Sequence, residues 1–232
     1  MTEPENGALI KGRGLKNSRL IGELGSPSLE ALGNAATRLI LDKGATLFYQ
    51  QDPGDALYVL ESGSVEISIL GESGKKLSLN VMRPPDVFGE VAALDGGPRT
   101  ATATTLEPCV LWKFEQADID TVIRSHPELA SDLIKVLCAR LRWVSQQVED
   151  LAMLDIEARL ASRLLILHGK FSDSDGCIRL SQSELADFLG ATRESINKTL
   201  QTWRAQDVIR MSRGAIWIEN IDLLNEIATT PQ

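Results

Sequence analysis

Between Leu39 and Phe114, short apolar runs are separated by frequent Gly, Pro and Asp. Leu57-Tyr58-Val59-Leu60 is one such run, and Glu61-Ser62-Gly63-Ser64 after it reads as a turn. Val65-Glu66-Ile67-Ser68-Ile69-Leu70 alternates apolar and polar with period two, which buries one face of a strand. Gly71-Glu72-Ser73-Gly74 turns the chain again, and Lys76 to Val81, Thr100 to Thr105 and Cys109 to Phe114 are further predicted strands. Short strands at this spacing predict a small antiparallel barrel or roll. Ahead of it, Ser26-Pro27-Ser28-Leu29-Glu30 opens a short helix running through Leu32 towards Arg38. Residues 1 to about 17, polar and glycine-bearing, read as a loose arm.

The period then changes. Ala117 to Arg124 reads as a short helix ended by Ser125-His126-Pro127. Residues 128 to about 154 contain no Gly and no Pro, and Ile134, Leu137, Leu141, Val144, Val148 and Leu151 recur in steps of 3, 4, 3, 4 and 3. That is the seam of a coiled coil, on one helix of about 27 residues, roughly 40 Å long. So narrow a stripe wants a partner helix, and a parallel homodimer is favoured over packing on the chain's own roll. Asp155 marks a hinge. Ile156 to His168 is the next helix, with Leu160, Leu164, Ile166 and Leu167 apolar. Gly169 to Gly176, with Asp173, Ser174 and Asp175, is a solvated loop lacking the calcium-loop pattern.

Ser181-Gln182-Ser183-Glu184 is a capping box that starts a helix from Gln182 to Leu189. Gly190 ends it, and Thr192 caps a second helix from Arg193 to about Ala205, with Ile196, Leu200 and Trp203 apolar. The spacing of Ala186, Gly190 and Ile196 predicts a helix-turn-helix. Arg193, Glu194 and Lys198 share one face of the second helix. Arg and Lys donate to guanine O6 and N7, and Glu accepts from cytosine N4. Val208-Ile209-Arg210 and Ala215-Ile216-Trp217-Ile218 read as a hairpin wing, and Ile221 to Ile227 as a terminal helix.

Candidate chemistry concentrates in Phe88-Gly89-Glu90-Val91-Ala92-Ala93-Leu94-Asp95-Gly96-Gly97-Pro98-Arg99-Thr100. Gly89 allows close backbone approach to a ligand, and the helix-forming run from Glu90 to Leu94 offers unpaired N–H groups. Gly96, Gly97 and Pro98 reverse the chain, bringing the Arg99 guanidinium and the Thr100 hydroxyl to the same spot. Arg grips a phosphate in a planar, bidentate way. A carboxylate such as Glu90 is repelled by phosphate but can accept from a sugar hydroxyl. Phosphate plus sugar hydroxyl means a nucleotide.

These residues resemble the phosphate-binding cassette of the cyclic-nucleotide-binding domain, and the C-terminal run resembles a winged helix-turn-helix. Together the chain is similar, over about residues 20 to 220, to the Crp/Fnr family of bacterial transcription factors, in particular its cyclic AMP receptor protein-like branch. The resemblance implies an α+β architecture. After an arm over 1–17 would come an antiparallel β-roll over 18–127 that binds a cyclic nucleotide. A dimerisation helix over 128–154 and a winged helix-turn-helix DNA-binding domain over 155–232 would follow. Gly44, Gly54 and Gly63 fall where the family's roll places turn glycines. Gly89 and Glu90 would meet the ribose 2′-hydroxyl, Arg99 and Thr100 would hold the cyclic phosphate, and Val91 would belong to the same nucleotide-binding set. The family's adenine-contacting Thr-Ser pair falls on Val144 and Ser145, and Val144 cannot hydrogen-bond. Cyclic AMP is the expected effector, with cyclic GMP or relaxed selectivity open. Gln182, Ser183, Thr192, Arg193, Glu194 and Lys198 would bind DNA, with Gln182 on a phosphate. In the family an Arg-Glu pair followed four residues later by Arg reads a TGTGA-like half-site. Lys198 departs from that, which implies a related but not identical half-site. Expected partners are double-stranded DNA with a palindromic operator, a second copy of the chain, and RNA polymerase.

Composition agrees with that reading. The 232 residues carry a net charge of −8, which argues against unspecific coating of nucleic acid. From Thr192 to Arg213, however, five basic residues face two acidic ones. There is no apolar run long enough to cross a membrane and no apolar signal core, so a cytoplasmic location is expected. Cys109, Cys138 and Cys177 are far apart, and His126 and His168 stand alone, so no metal or cluster site is expected. No catalytic set is evident, which disfavours a nucleotide-hydrolysing enzyme. A regulator that keeps the fold without a ligand needs neither Glu90 nor Arg99, and a kinase-type regulatory subunit needs no helix-turn-helix.

Overall fold

A computed structural model describes residue 33 and residues 35–72, 74–171, 175–212 and 214–229. The arm over 1–17, the opening of the short helix at 26–32, the loop residues Asp173 and Ser174, and Arg213 lie outside the described residues. The chain divides into two compact units: the residues up to Gly74 with Leu79–Arg140, and Leu141 onward with Lys75–Ser78.

The first unit is built on two four-stranded sheets. One has the order β1 (Thr37–Leu41), β8 (Cys109–Glu115), β3 (Ala56–Ser62), β6 (Val87–Phe88). The other has the order β2 (Thr46–Phe48), β7 (Thr102–Thr105), β4 (Val65–Leu70), β5 (Lys76–Met82). The pairs β1–β8, β3–β8, β3–β6, β2–β7 and β4–β7 are antiparallel. The expected strands are present: β7 buries every second residue, whereas along β3 the run from Ala56 to Leu60 is buried on both faces. The short β2 and β6 carried too few residues to show a period. The predicted helix towards Arg38 gives way to β1, where Thr37 and Arg38 pair with Lys113 and Trp112. A long partner strand on that edge outweighs the local helix signal. The strand expected from Thr100 starts at Thr102. Arg99 instead exchanges backbone hydrogen bonds with Gln51 and Asp52, at 2.9 and 2.8 Å, which keeps that stretch in a loop.

Short helices α1 (Glu90–Asp95) and α2 (Gln116–Ser125) follow β6 and β8. The long α3 (Glu128–Met153) begins by burying Leu129 and Leu133 in the core formed with Leu57, Val59, Trp112, Phe114 and Ile119. Further along, Ile134, Leu141, Val144, Val148 and Leu151 are between 43% and 67% exposed. Among the described residues, these five seam positions therefore stay largely uncovered.

The second unit holds α4 (Ile156–Phe171), β9 (Cys177–Ile178), α5 (Gln182–Leu189), α6 (Arg193–Ala205), β10 (Ile209–Ser212), β11 (Ala215–Ile218) and α7 (Ile221–Ala228). Helix α4 continues through Gly169, which had been expected to open a loop. Its core joins Leu160, Leu164, Leu185, Ile196, Leu200 and Trp203. Trp203 donates its indole N–H to Glu157 at 2.9 Å, so the ring is both buried and satisfied. Arg163, 8% exposed, lies over the Phe188 ring at 5.3 Å and donates to Gln147 at 3.2 Å. The second half of α3 is thereby tied to α4 and α5. Burial pulls the Arg163 guanidinium below its ordinary pKa.

Candidate functional site

The pocket is assembled at the junction of β6 and α1. Gly89 has φ 78°, in the left-handed region, and a Cβ there would meet Arg99 Nη1 at 2.9 Å and the Ala56 carbonyl at 3.2 Å. Only glycine combines that backbone with that proximity. Helix α1 starts at Glu90 with no side chain capping it, and Gly96, with φ 70°, closes it. The chain then returns to Arg99 through Pro98, which bridges to Pro53.

Arg99 is 3% exposed. Its Nη1 donates to the Ala56 carbonyl at 2.7 Å and to the Gly89 carbonyl at 3.0 Å. Its guanidinium carbon lies 4.2 Å from the Phe48 ring centre and 5.8 Å from that of Tyr58. Tyr58 in turn stacks on Phe88 at 5.5 Å. Burial pushes the Tyr58 hydroxyl above its ordinary pKa, against the opposing pull of the Arg99 charge. One edge of the guanidinium is thus anchored to backbone. On the other edge, among the described residues, Nη2 has only the exposed Asp55 carboxylate, at 3.8 Å, and Nε is buried without a partner. A buried donor left unmade is costly, and a bidentate oxyanion on the Nε–Nη2 edge would satisfy it.

Gly54 had been read as a turn glycine and nothing more. Its role is steric: a Cβ there would stand 2.2 Å from Ala92 Cβ and 3.1 Å from Arg99 Nε. Its bare backbone leaves room for the return loop. Glu90 is 3% exposed and pairs with Arg140 of α3, Nε to Oε1 at 3.5 Å. Arg140 also donates to the Val87 carbonyl at 3.2 Å. Sequence reasoning missed Arg140, because the only signal was its place one turn before Val144. The structure brings Gly89, Glu90, Arg99 and Arg140 together, with Val91 half-buried and Thr100 exposed at the rim. Val144 and Ser145 belong to the second unit. Val144 is 43% exposed, and the Ser145 hydroxyl donates to the Leu141 carbonyl at 3.0 Å.

The second site is the α5–turn–α6 pair. The capping box is complete: the Ser181 hydroxyl accepts from Glu184 N at 3.2 Å and Glu184 accepts from Ser181 N at 2.6 Å. Gly190, with φ 60°, ends α5, and Thr192 Oγ1 accepts from Ser195 N at 3.2 Å to start α6. Ile196, Leu200 and Trp203 are fully buried, which turns Arg193, Glu194 and Lys198 to solvent. Asn197 and Gln201, also exposed, were missed among them. The Gln182 amide donates to Asn197 Oδ1 at 2.9 Å. An open cavity of about 350 Å³ lies between the start of α5 and the wing, lined by Ser181, Gln182, Ser183, Arg193, Ser212 and Gly214. Arg210, counted among the basic residues, is committed to Glu219 at 2.8 Å and to the Trp217 ring at 4.1 Å.

Among the described residues no group of His, Cys, Asp and Glu could hold a metal ion, and no helix is long and apolar enough to cross a membrane. Cys109 and Cys177 are buried and Cys138 is exposed, all as free thiols.

Residues 38–126 match the cyclic nucleotide-binding domain family, and residues 158–227 match the Crp-like helix-turn-helix domain family. The chain is 34% identical, over 78% of its length and 84% of the relative's, to the CRP-like cAMP-activated global transcriptional regulator of Mycobacterium tuberculosis. It is 29% identical, over 92% and 98%, to the cyclic AMP receptor protein of Thermus thermophilus. A solved Crp/Fnr-family transcriptional regulator from Thermus thermophilus superposes with a TM-score of 0.74 at 26% identity, over 84% of this chain and all (100%) of that one.

Proposed function

Because the chain belongs to the Crp/Fnr family of DNA-binding transcription regulators, which are not enzymes, we propose that it is a homodimeric regulator switched by a cyclic mononucleotide. The observation that carries this is the buried Nε–Nη2 edge of Arg99, which no group among the described residues satisfies fully. The cyclic phosphate takes that edge together with the Thr100 hydroxyl. The Gly89–Glu90–Val91 turn takes the ribose, with the 2′-hydroxyl donating to the Glu90 carboxylate. Cyclic AMP is the first choice of ligand, since the two curated relatives are named for it.

Glu90 is the relay. Its carboxylate holds Arg140 of α3, and a ribose hydroxyl that draws on the same carboxylate changes how tightly α3 is held. Val144 and Ser145 follow one turn later, and the exposed seam over Ile134–Leu151 is the surface for a second copy. Paired along that seam, two α6 helices would address half-sites of a palindromic operator about one DNA turn, roughly 34 Å, apart. In this reading residues 18–127 sense, 128–154 pair, and 155–232 read DNA. Ligand and operator must strengthen each other's binding by the same factor. An RNA polymerase contact completes the expected set of partners, and the protein works where the DNA is, in the cytoplasm.

One observation favours a second reading of the ligand. Val144 offers no hydrogen bond to a base, so cyclic GMP or an unselective pocket is the alternative. Calorimetric titration with cyclic AMP and cyclic GMP, on the wild type and on Val144→Thr, tests both. Binding of either nucleotide supports the switch, and a preference for cyclic AMP that sharpens in Val144→Thr supports the assignment of that position. Silence with both nucleotides rejects the switch.

A further inference from the structure

The sequence places a hinge at Asp155, yet a buried side chain spans that point. Arg163 of α4 is 8% exposed, and among the described residues no carboxylate forms an ion pair with it. Its Nη2 donates to Gln147 Oε1 of α3 at 3.2 Å, and its guanidinium carbon lies 5.3 Å from the ring centre of Phe188 on α5. One side chain therefore touches the helix before Asp155 and the first helix of the helix-turn-helix after it.

Little else holds the second half of α3. Among the described residues, none from 141 to 153 belongs to the apolar core of the second unit. The Arg163–Gln147 bond is, among the described residues, the one side-chain hydrogen bond that joins this half of α3 to the rest of the unit. The half-buried positions here are Trp143, Gln147, Asp150 and Leu154, in steps of 4, 3 and 4. The seam positions Val144, Val148 and Leu151 are exposed. At about 100° per residue the two stripes stand side by side on the helix. The bond to Arg163 thus uses a face of α3 that pairing along the seam leaves free.

The start of α4 is fixed independently. Asp155 Oδ1 accepts from Ala158 N at 2.8 Å, Glu157 accepts from Trp203 of α6, and Arg159 Nη1 donates to the Leu189 carbonyl at 3.4 Å. Burying a cation without an ion-pair partner is costly, and an apolar side chain of similar volume would fill the space more cheaply. What only a guanidinium adds is a directed donor that reaches across the junction and a planar face for the aromatic ring.

We propose that Arg163 is a positioning residue that locks the α3–α4 junction, so that the chain from Leu141 to the end of α7 moves as one body. A bend at Asp155 would let a displacement of α3 dissipate before it reached α6. With the junction locked, the displacement is passed on. The inference rests on the regulator reading and adds to it the side chain that keeps the two helices in register.

Two readouts on the full-length protein test this. Hydrogen exchange follows the amides of Leu154 and Arg159, which donate to the carbonyls of Asp150 and Asp155 at 3.0 and 3.1 Å, on either side of the junction. Fluorescence anisotropy gives the affinity for a selected operator without nucleotide and with cyclic AMP or, in parallel, cyclic GMP; the ratio is the coupling factor. In the wild type the junction amides exchange at the same rate with and without nucleotide. In Arg163→Met they exchange faster, and the coupling factor falls by about fivefold or more, within the range over which single side chains shift coupling. Gln147→Leu leaves the stack on Phe188 in place and moves both readouts the same way, to a smaller extent. Gln147→Glu offers the guanidinium a carboxylate and keeps the coupling factor at or above that of the wild type. If Arg163→Met does not fold, the two Gln147 variants decide. Coupling that is unchanged in Arg163→Met and Gln147→Leu, with only a lower melting temperature, would mean a merely structural clasp and overturn the proposal. So would wild-type junction amides whose exchange changes on nucleotide binding, since the bend would then lie at Asp155. A wild type that binds neither nucleotide, or binds one with no change in operator affinity, would instead sink the regulator reading itself.

Discussion

Replacing Arg99 by Met keeps an apolar stem against Phe48 and removes every donor. Two consequences can be separated. Within the protein, the Ala56 and Gly89 carbonyls lose hydrogen bonds of 2.7 and 3.0 Å. The Gly89 carbonyl still accepts from Ala93 N at 3.4 Å, but a buried acceptor such as the Ala56 carbonyl left without this donor costs about 1–3 kcal/mol, so the melting temperature of the nucleotide-free protein falls. At the ligand, the Nε–Nη2 edge supplies two charge-assisted bonds, worth about 1.5–3 kcal/mol each. Losing about 3 kcal/mol or more raises the dissociation constant for cyclic nucleotide by about a hundredfold or more. Arg99→Lys keeps the charge but cannot hold two carbonyls and a phosphate together, so its binding falls in between. Calorimetry reads the affinity, and thermal unfolding with and without nucleotide reads the coupling. The nucleotide-dependent rise in melting temperature should vanish in Arg99→Met and shrink in Arg99→Lys. If Arg99→Met folds and titrates like the wild type, the phosphate does not sit on Arg99 and the reasoning is wrong.

Three more outcomes follow from the same structure. Glu at Leu141 and Val148 puts like charges into the exposed seam, so sedimentation should show monomers at concentrations where wild type is a dimer. A dimer that persists would place the interface elsewhere. Ala at Gly54 drives a Cβ into Ala92 and towards Arg99 Nε, so nucleotide affinity should fall even though no donor is lost. Unchanged affinity would mean that the return loop tolerates a shift. Alkaline pH should destabilise the fold. Burial raises the pKa of Tyr58 and of Cys109, and the hydrogen bond to Glu115 raises that of Lys113. Each folded group therefore holds its proton more tightly than the unfolded chain does. The stability is full below the unfolded values and is lost as pH climbs from them through the higher folded values, beginning at about pH 8.5. A denaturation midpoint that increases between pH 8 and pH 10.5 would contradict this.

What was legible in the sequence tracks what is local. The capping box at Ser181, the terminating Gly190 and the buried Ile196–Leu200–Trp203 stripe are written in near-neighbour spacing, and α5 and α6 form where expected. The Gly- and Pro-free α3 was equally readable. Strand β4 forms where expected, but Glu66 and Ser68 are buried while Ile67 and Ile69 are half-buried and Leu70 is exposed, so its alternation did not mark the inner face. Interactions between distant residues were not. Arg140 reaches Glu90 from 50 positions away, as the pairing of the two shows. Gln182 reaches Asn197 across the turn, and Gly54 matters because Ala92 and Arg99 come to it. Strand β1 was mistaken for the end of a helix because its partner, β8, lies some 70 residues on, Thr37 facing Lys113. In each case the deciding neighbour has no fixed offset in the chain.

The claim at the centre is that a small anion buried against Arg99 controls what α6 does to DNA. Fluorescence anisotropy of a selected operator, measured with the full-length protein alone and then with cyclic AMP or cyclic GMP, tests it directly. The account predicts that one of these nucleotides tightens operator binding at least tenfold in the wild type and leaves Arg99→Met unchanged. Operator affinity that stays the same at saturating levels of both nucleotides would contradict it.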